Sequence, residues 1–192
     1  MTSICVFCGA NKGGRPEYEN LTRQLAQSLV RRGLRAVYGA GRVGLMGVLA
    51  DEVLGAGGAI TGVIPDFLKK MEVCHLGLTE LIEVETMHQR KQIMAEISDG
   101  FFVLPGGYGT LDEFFEILTW KQLNLHQKPI GLFNYAGYYD HLIAHMDVMV
   151  REGFLRQENR ELVIIENDLE KLLDRMQQYQ PGKSAEKWLD RT

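Results

Sequence analysis

"FFVLPGGYGTLDE", residues 101–113, decides how the rest of the chain folds. Four apolar residues run into Pro105, three glycines follow at 106, 107 and 109, and Thr110 opens a segment with helical spacing. An uninterrupted apolar run bounded by turn residues reads as a strand buried on both faces, and strand, tight loop and helix in that order make the unit of a parallel sheet.

The same unit recurs in both directions. β-rich runs stand at 3–8, 35–39, 59–64, 81–85, 100–105, 129–134 and 161–166. Between them, 16–32, 44–56, 87–98, 110–124, 138–151 and 168–179 carry helical periodicity, as in Leu21, Leu25, Ala26, Leu29 and Val30. This alternation predicts an α/β, doubly wound, Rossmann-like fold: a parallel sheet of about seven strands with helices on both faces. One domain spans 1–192, ending in a polar tail over 181–192 in which Trp188 and Leu189 are the apolar exceptions.

Composition narrows the classes of function. With 192 residues, 45% hydrophobic and 24% charged, the chain can bury the core of a single domain. A net charge of −4, with Lys and Arg dispersed, offers no basic stripe for nucleic acid. The N-terminus lacks a signal-peptide pattern, and no apolar run approaches the ~20 residues of a membrane span, so a soluble, cytoplasmic protein is expected. Cys5 and Cys8 form a lone CxxC on a strand, where residues three apart face opposite sides, and read as buried free thiols. His141 and His145 have ligand spacing but no HExxH glutamate, and no metal site is expected.

In doubly wound sheets, ligands sit beyond the carboxyl ends of the strands, so the strand-to-helix loops 8–14, 39–47, 85–91 and 105–113 carry the information. Gly39, Gly41 and Gly44 spell G-x-G-x-x-G, but the acid that a dinucleotide site needs on the next strand is absent from "AITGVI". Gly106, Gly107 and Gly109 are expected to take positive φ and turn their N–H groups into an anion nest, with Thr110 at a helix start. Thr110 to Glu113 also fits a capping box, in which Glu113 returns to the cap N–H. Arg90 and Lys91 follow the strand just before this one in the sequence. Were the two strands neighbours, the basic pair and the glycine loop would share one crevice. His88, two residues before Arg90, reads as structural rather than as a general acid.

"GRVGLMG", "MHQRKQIM" and "PGGYGTLDE", with "VFCGA" before and "TWKQLNLHQKPIGLFN" after, resemble the Lonely Guy (LOG) family of cytokinin riboside 5′-monophosphate phosphoribohydrolases, often misnamed lysine decarboxylases. The resemblance covers roughly residues 3 to 155. It implies hydrolysis of the N-glycosidic bond of a purine nucleoside 5′-monophosphate, AMP or an N6-substituted AMP, to free base and ribose 5-phosphate, with no cofactor. By motif, Arg90 and Glu113 match the catalytic pair. Gly106, Gly107, Tyr108, Gly109 and Thr110 match the phosphate cradle. Lys91, Met87, Gly41, Gly44 and Glu72 match ligand-binding neighbours, while Asp112 and Glu116 are either supporting polar groups or solvated charges. The family's "GGG" reads Gly39-Ala40-Gly41 here, and its "CGSS" reads Cys8-Gly9-Ala10-Asn11, which removes a hydroxyl that could touch phosphate.

The chemistry is consistent with these residues. Breaking a ribose–base bond develops positive charge on the sugar, which a carboxylate stabilises or traps; Arg90 can keep Glu113 ionised, or else bind the phosphate or assist the leaving base, and the sequence does not decide among these roles. The resemblance also implies a homodimer or higher homo-oligomer, and the apolar residues that wrap around 114–125 suit a helix covered on several sides. The alternative function is a non-catalytic nucleotide or phosphate-cofactor carrier on the same fold.

Overall fold

The computed structural model describes residues 1–71 and 74–181. Glu72 and the tail from 182 onward, with Trp188 and Leu189, lie outside the described residues. Seven parallel strands form one sheet: β1 (Ser3–Phe7), β2 (Arg35–Tyr38), β3 (Ile60–Pro65), β4 (Glu80–Val84), β5 (Phe101–Val103), β6 (Ile130–Phe133) and β7 (Ile164–Glu166), in the order β4-β3-β2-β1-β5-β6-β7.

Alternation along each strand divides the core. From β1, Ile4 and Val6 pack in one layer with α1 (Pro16–Arg31), α2 (Gly44–Gly55) and α8 (Leu169–Gln178). Cys5 and Phe7 pack in the other, with α4 (Met87–Glu96), α5 (Tyr108–Gln122) and α6 (Asp140–Arg151). Cys5 and Cys8 therefore lie in opposite layers, and both are free and buried. The long connection after β3 contains a short helix, α3 (Asp66–Lys70), and α7 (Gln157–Arg160) precedes β7. No helix among the described residues is long and apolar enough to cross a membrane.

Strand order corrects one expectation. β4 is an edge strand, and β5 lies on the far side of β1, so Arg90 and the glycine loop do not come from neighbouring strands. The chain winds outward from β1 to β4, and α4 then carries it back under the sheet to β5. Arg90 meets the glycine loop because of that return crossing. The reversal of strand order, between β1 and β5, is where a doubly wound sheet opens a ligand crevice.

Candidate active site

Three loops converge at that reversal. The loop after β1 is tied to the one after β5 by Gly9 N–H donating to Pro105 O at 3.2 Å, and to α2 by Leu45 N–H donating to Gly9 O at 3.0 Å. A cavity of about 300 Å³ opens beside them, with Arg90, Glu113, Gly109 and Thr110 on its polar side and Val43, Met46, Ile64 and Leu68 on its apolar side.

Glu113 stands in the second turn of α5, with its side chain 13% exposed. The helix begins at Tyr108, with Gly107 as its N-cap and no side-chain cap, so the expected Thr110–Glu113 capping box does not form. The helix starts two residues early because Tyr108 and Gly109 already adopt helical geometry, which leaves Thr110 inside the first turn and buried. A capping box is found instead on α4, between Thr86 and Gln89.

The nest is also built differently from the sequence expectation. None of Gly106, Gly107 and Gly109 takes positive φ. Gly106 is needed for close approach, because a Cβ there would lie 2.0 Å from Thr110 Oγ1. Gly107 and Gly109 instead leave open space, since a Cβ added at either would find no atom within 4 Å. The first intrahelical bond joins Leu111 N–H to Gly107 O at 3.1 Å, so the N–H groups of Tyr108, Gly109 and Thr110 have no acceptor inside the helix. Together with the helix dipole they make this end attractive to an anion.

Arg90 is buried beneath the cavity. Its Nε donates to Val63 O at 3.2 Å and its Nη2 to Gly39 O at 3.4 Å, while Nη1 lies 3.9 Å from Met87 Sδ. Nη2 also stands 3.5 Å from Glu113 Oε1. A Cβ at residue 39 would lie 1.7 Å from Nη2, so Gly39 is glycine to let the guanidinium pass. Gly44 serves packing: its φ is +63°, and a Cβ would strike the Ala10 backbone at 2.2 Å. Ala40 takes φ +58° where the resemblance leads one to expect glycine.

Burial dominates the electrostatics of Glu113. It pushes the carboxyl up to about 7, against the pull of Arg90, and Asp112 adds to the rise. Arg90 does pull the carboxyl down, but burial outweighs it, because removing a carboxylate from water costs more than one guanidinium at 3.5 Å returns.

The other predicted residues separate. Gly41 lines the cavity, whereas Gly44, Met87, Lys91, Asp112 and Glu116 do not. Lys91 bridges Asp112 at 3.2 Å and Glu116 at 3.0 Å, pinning α4 to α5. Arg90 and Lys91 thus serve different partners, as consecutive helical positions require. Gly106, Gly107 and Tyr108, the last 94% exposed, line a second cavity of about 400 Å³ with Lys12, Tyr18 and Tyr138 instead. His88 lines neither of these two cavities, and His141 and His145 are exposed on α6. No cluster of metal-binding side chains occurs among the described residues. Sequence reasoning missed the loop after β6, where Tyr138 OH donates to Gly106 O at 2.7 Å and Tyr139 OH to Leu104 O at 2.8 Å. Two consecutive tyrosines at a strand's carboxyl end were the available signal.

A seven-stranded parallel sheet with a buried Arg–Glu pair beside a glycine-led helix, at the point where strand order reverses, defines a Rossmann-like α/β protein with a ligand crevice at its switch point. The chain belongs to the family described as "Possible lysine decarboxylase", whose model matches residues 46–176. It is 46% identical to "Probable cytokinin riboside 5'-monophosphate phosphoribohydrolase LOGL1" of Oryza sativa subsp. japonica, over 92% of this chain and 79% of that protein. It is 42% identical to "Cytokinin riboside 5'-monophosphate phosphoribohydrolase LOG2" of Arabidopsis thaliana, over 93% and 84% respectively. Among solved structures, the molybdenum cofactor binding protein of Rippkaea orientalis superposes with a TM-score of 0.69 at 21% identity, covering 92% of this chain and 96% of that one. The molybdenum cofactor carrier protein of Chlamydomonas reinhardtii gives 0.69 at 18%, with the same coverage. At those identities the likeness is one of fold.

Proposed function

We propose that the protein hydrolyses the N-glycosidic bond of purine nucleoside 5′-monophosphates, AMP or N6-substituted cytokinin riboside monophosphates, as an N-ribosyl hydrolase. The observation that carries this is Glu113 and Arg90, 3.5 Å apart and nearly buried, in a cavity that adjoins the α5 N-terminus. The phosphate takes the free N–H groups of Tyr108, Gly109 and Thr110. The sugar then lies along the first turns of α5, with its anomeric carbon toward Glu113, and the base against Val43, Met46 and Leu68. The bond from the anomeric carbon to the base nitrogen breaks, and its electron pair leaves with the base. Water supplies hydroxide to the sugar and a proton to the base, giving ribose 5-phosphate. Ionised Glu113 stabilises the developing cation, directly or through a transient covalent bond.

The test is incubation with AMP, isopentenyladenosine monophosphate and a pyrimidine monophosphate, with free base followed by chromatography. Base release from a purine monophosphate is expected, and release from none refutes the reading. Tight binding of the nucleotides without release would favour the carrier alternative, which needs a phosphate cradle but no buried ion pair. Amino-acid decarboxylation finds no support in the cavity, which has no lysine among its lining residues.

Gly109→Ala separates ligand space from folding. The added methyl meets no protein atom within 4 Å, and alanine favours the helix by about 1 kcal/mol, so the melting temperature should hold or rise. Because the methyl projects where the ligand binds, kcat/KM should fall by roughly tenfold or more. Unchanged kcat/KM would remove Gly109 from the binding site.

A homodimer in the cytoplasm completes the proposal. Just past α5, Leu123 and Leu125 are 48% and 69% exposed, and Leu111, Phe115 and Trp120 of α5 are only partly buried, apolar surface of the kind a second copy covers. Three free cysteines suit a reducing compartment. Sedimentation of the full chain checks the copy number, with a monomer at micromolar concentration as the contrary result.

A further inference from the structure

The loop after β6 takes no part in the chemistry proposed above, yet it grips both the end of β5 and the glycine loop that follows. Tyr139 OH donates to Leu104 O at 2.8 Å within the core, and Tyr138 OH donates to Gly106 O at 2.7 Å near the surface. The first bond secures a strand end. The second holds a peptide that is otherwise easily turned, because Gly106 and Gly107 flank it and neither carries a Cβ to oppose rotation.

Its orientation matters to an anion. The chain contains no cis peptide bond among its described residues, and in a trans peptide the C=O and N–H point in opposite directions. Holding Gly106 O toward Tyr138 therefore aims the Gly107 N–H away from Tyr138, and Gly107 is the N-cap of α5, next to the N–H groups of Tyr108, Gly109 and Thr110 that the proposed function gives to the phosphate. Were the peptide to flip, the Gly106 carbonyl oxygen would take the place of the Gly107 N–H and set partial negative charge beside those donors. We propose that Tyr138 is a positioning residue that fixes the Gly106–Gly107 peptide in its anion-accepting orientation.

The tyrosine is itself well placed for this. Its ring meets Tyr139 edge-on at 4.8 Å and Tyr18 at 5.8 Å, and Tyr139 is anchored by its N–H donating to Asn134 Oδ1 at 2.8 Å. At 43% exposure, Tyr138 can exchange its hydrogen bond with water at little cost to folding, so the bond bears on loop geometry more than on stability.

This inference rests on the proposed phosphate site, and the experiment separates the two. Calorimetric titration of the full-length protein with ribose 5-phosphate, inorganic phosphate and adenine is compared with Tyr138→Phe, which keeps the ring contacts, and with Tyr18→Phe, whose ring lies in the same cluster. For Tyr138→Phe, the Kd for ribose 5-phosphate and phosphate should rise about five- to tenfold, the loss of one hydrogen bond's influence. KM for AMP should rise in step, while kcat, adenine binding and the melting temperature stay near those of the unmodified protein. Tyr18→Phe should match the unmodified protein throughout. Equal binding of ribose 5-phosphate by Tyr138→Phe overturns the positioning role, as does a parallel loss of adenine binding. If the unmodified protein binds neither phosphate ligand, the phosphate site fails and the role of Tyr138 falls with it.

Discussion

Glu113→Gln should lose turnover on the order of 10³-fold while gaining stability above neutral pH, the loss reflecting about 4 kcal/mol of transition-state stabilisation. The gain follows from burial. Folding raises this carboxyl from the ordinary 4.5 to about 7. Between those values the unfolded chain has released its proton and the folded chain has kept it, so stability falls as pH rises and the penalty is complete above about 7. At pH 8 that penalty is on the order of 1–3 kcal/mol. The amide of Glu113→Gln cannot ionise and escapes it, so the variant should melt several degrees higher at pH 8 and match the unmodified protein near pH 4.5. Thermal unfolding at the two pH values, paired with base-release assays, checks both halves. A variant that is inactive and also less stable at pH 8 would show that Glu113 holds the helix rather than serving the ligand.

That prediction reverses what the sequence alone suggests, and the reason is physical. The strand and helix positions are legible because apolar periodicity is a local property, and the seven strands and six main helices fall close to where it places them. Strand order is not local. Nothing in "LIEVE" or "GFFVLP" says that β3, β2 and β1 lie between β4 and β5 in the sheet, so the meeting of Arg90 and Glu113 is readable only by family resemblance. Burial is equally non-local: Thr110-Leu-Asp-Glu113 matches a surface capping box letter for letter, yet the helix begins at Tyr108 and Glu113 turns inward. The glycines show the same limit. Gly39 and Gly106 are there because side chains from elsewhere pass within 2.0 Å of where a Cβ would stand, whereas a Cβ at Gly109 would meet no atom within 4 Å, and no local pattern separates the two cases.

The second large effect concerns Arg90. Arg90→Met replaces a guanidinium that touches Val63 O, Gly39 O and Glu113 with an apolar side chain that fits the same channel. Two consequences follow from one lost charge. Glu113 loses the group that opposes its protonation, so its pKa must climb above about 7. On the proposed role, in which the ionised carboxylate is the active form, kcat/KM of the unmodified protein should rise with pH and level off above about 7, and in Arg90→Met the same limb should appear at higher pH. At pH 7 the variant should lose roughly 10²-fold or more in kcat/KM, part of it recovered as pH rises. Stability moves the opposite way: a carboxylate buried without its cation, and two carbonyls without donors, cost on the order of 3 kcal/mol at pH 8. The cost shrinks toward pH 6, where Glu113 becomes neutral. Matched pH–rate profiles and melting curves read both. If activity falls with the acid limb unmoved, Arg90 acts on the ligand alone and its proximity to Glu113 has no part in setting the charge of that carboxyl.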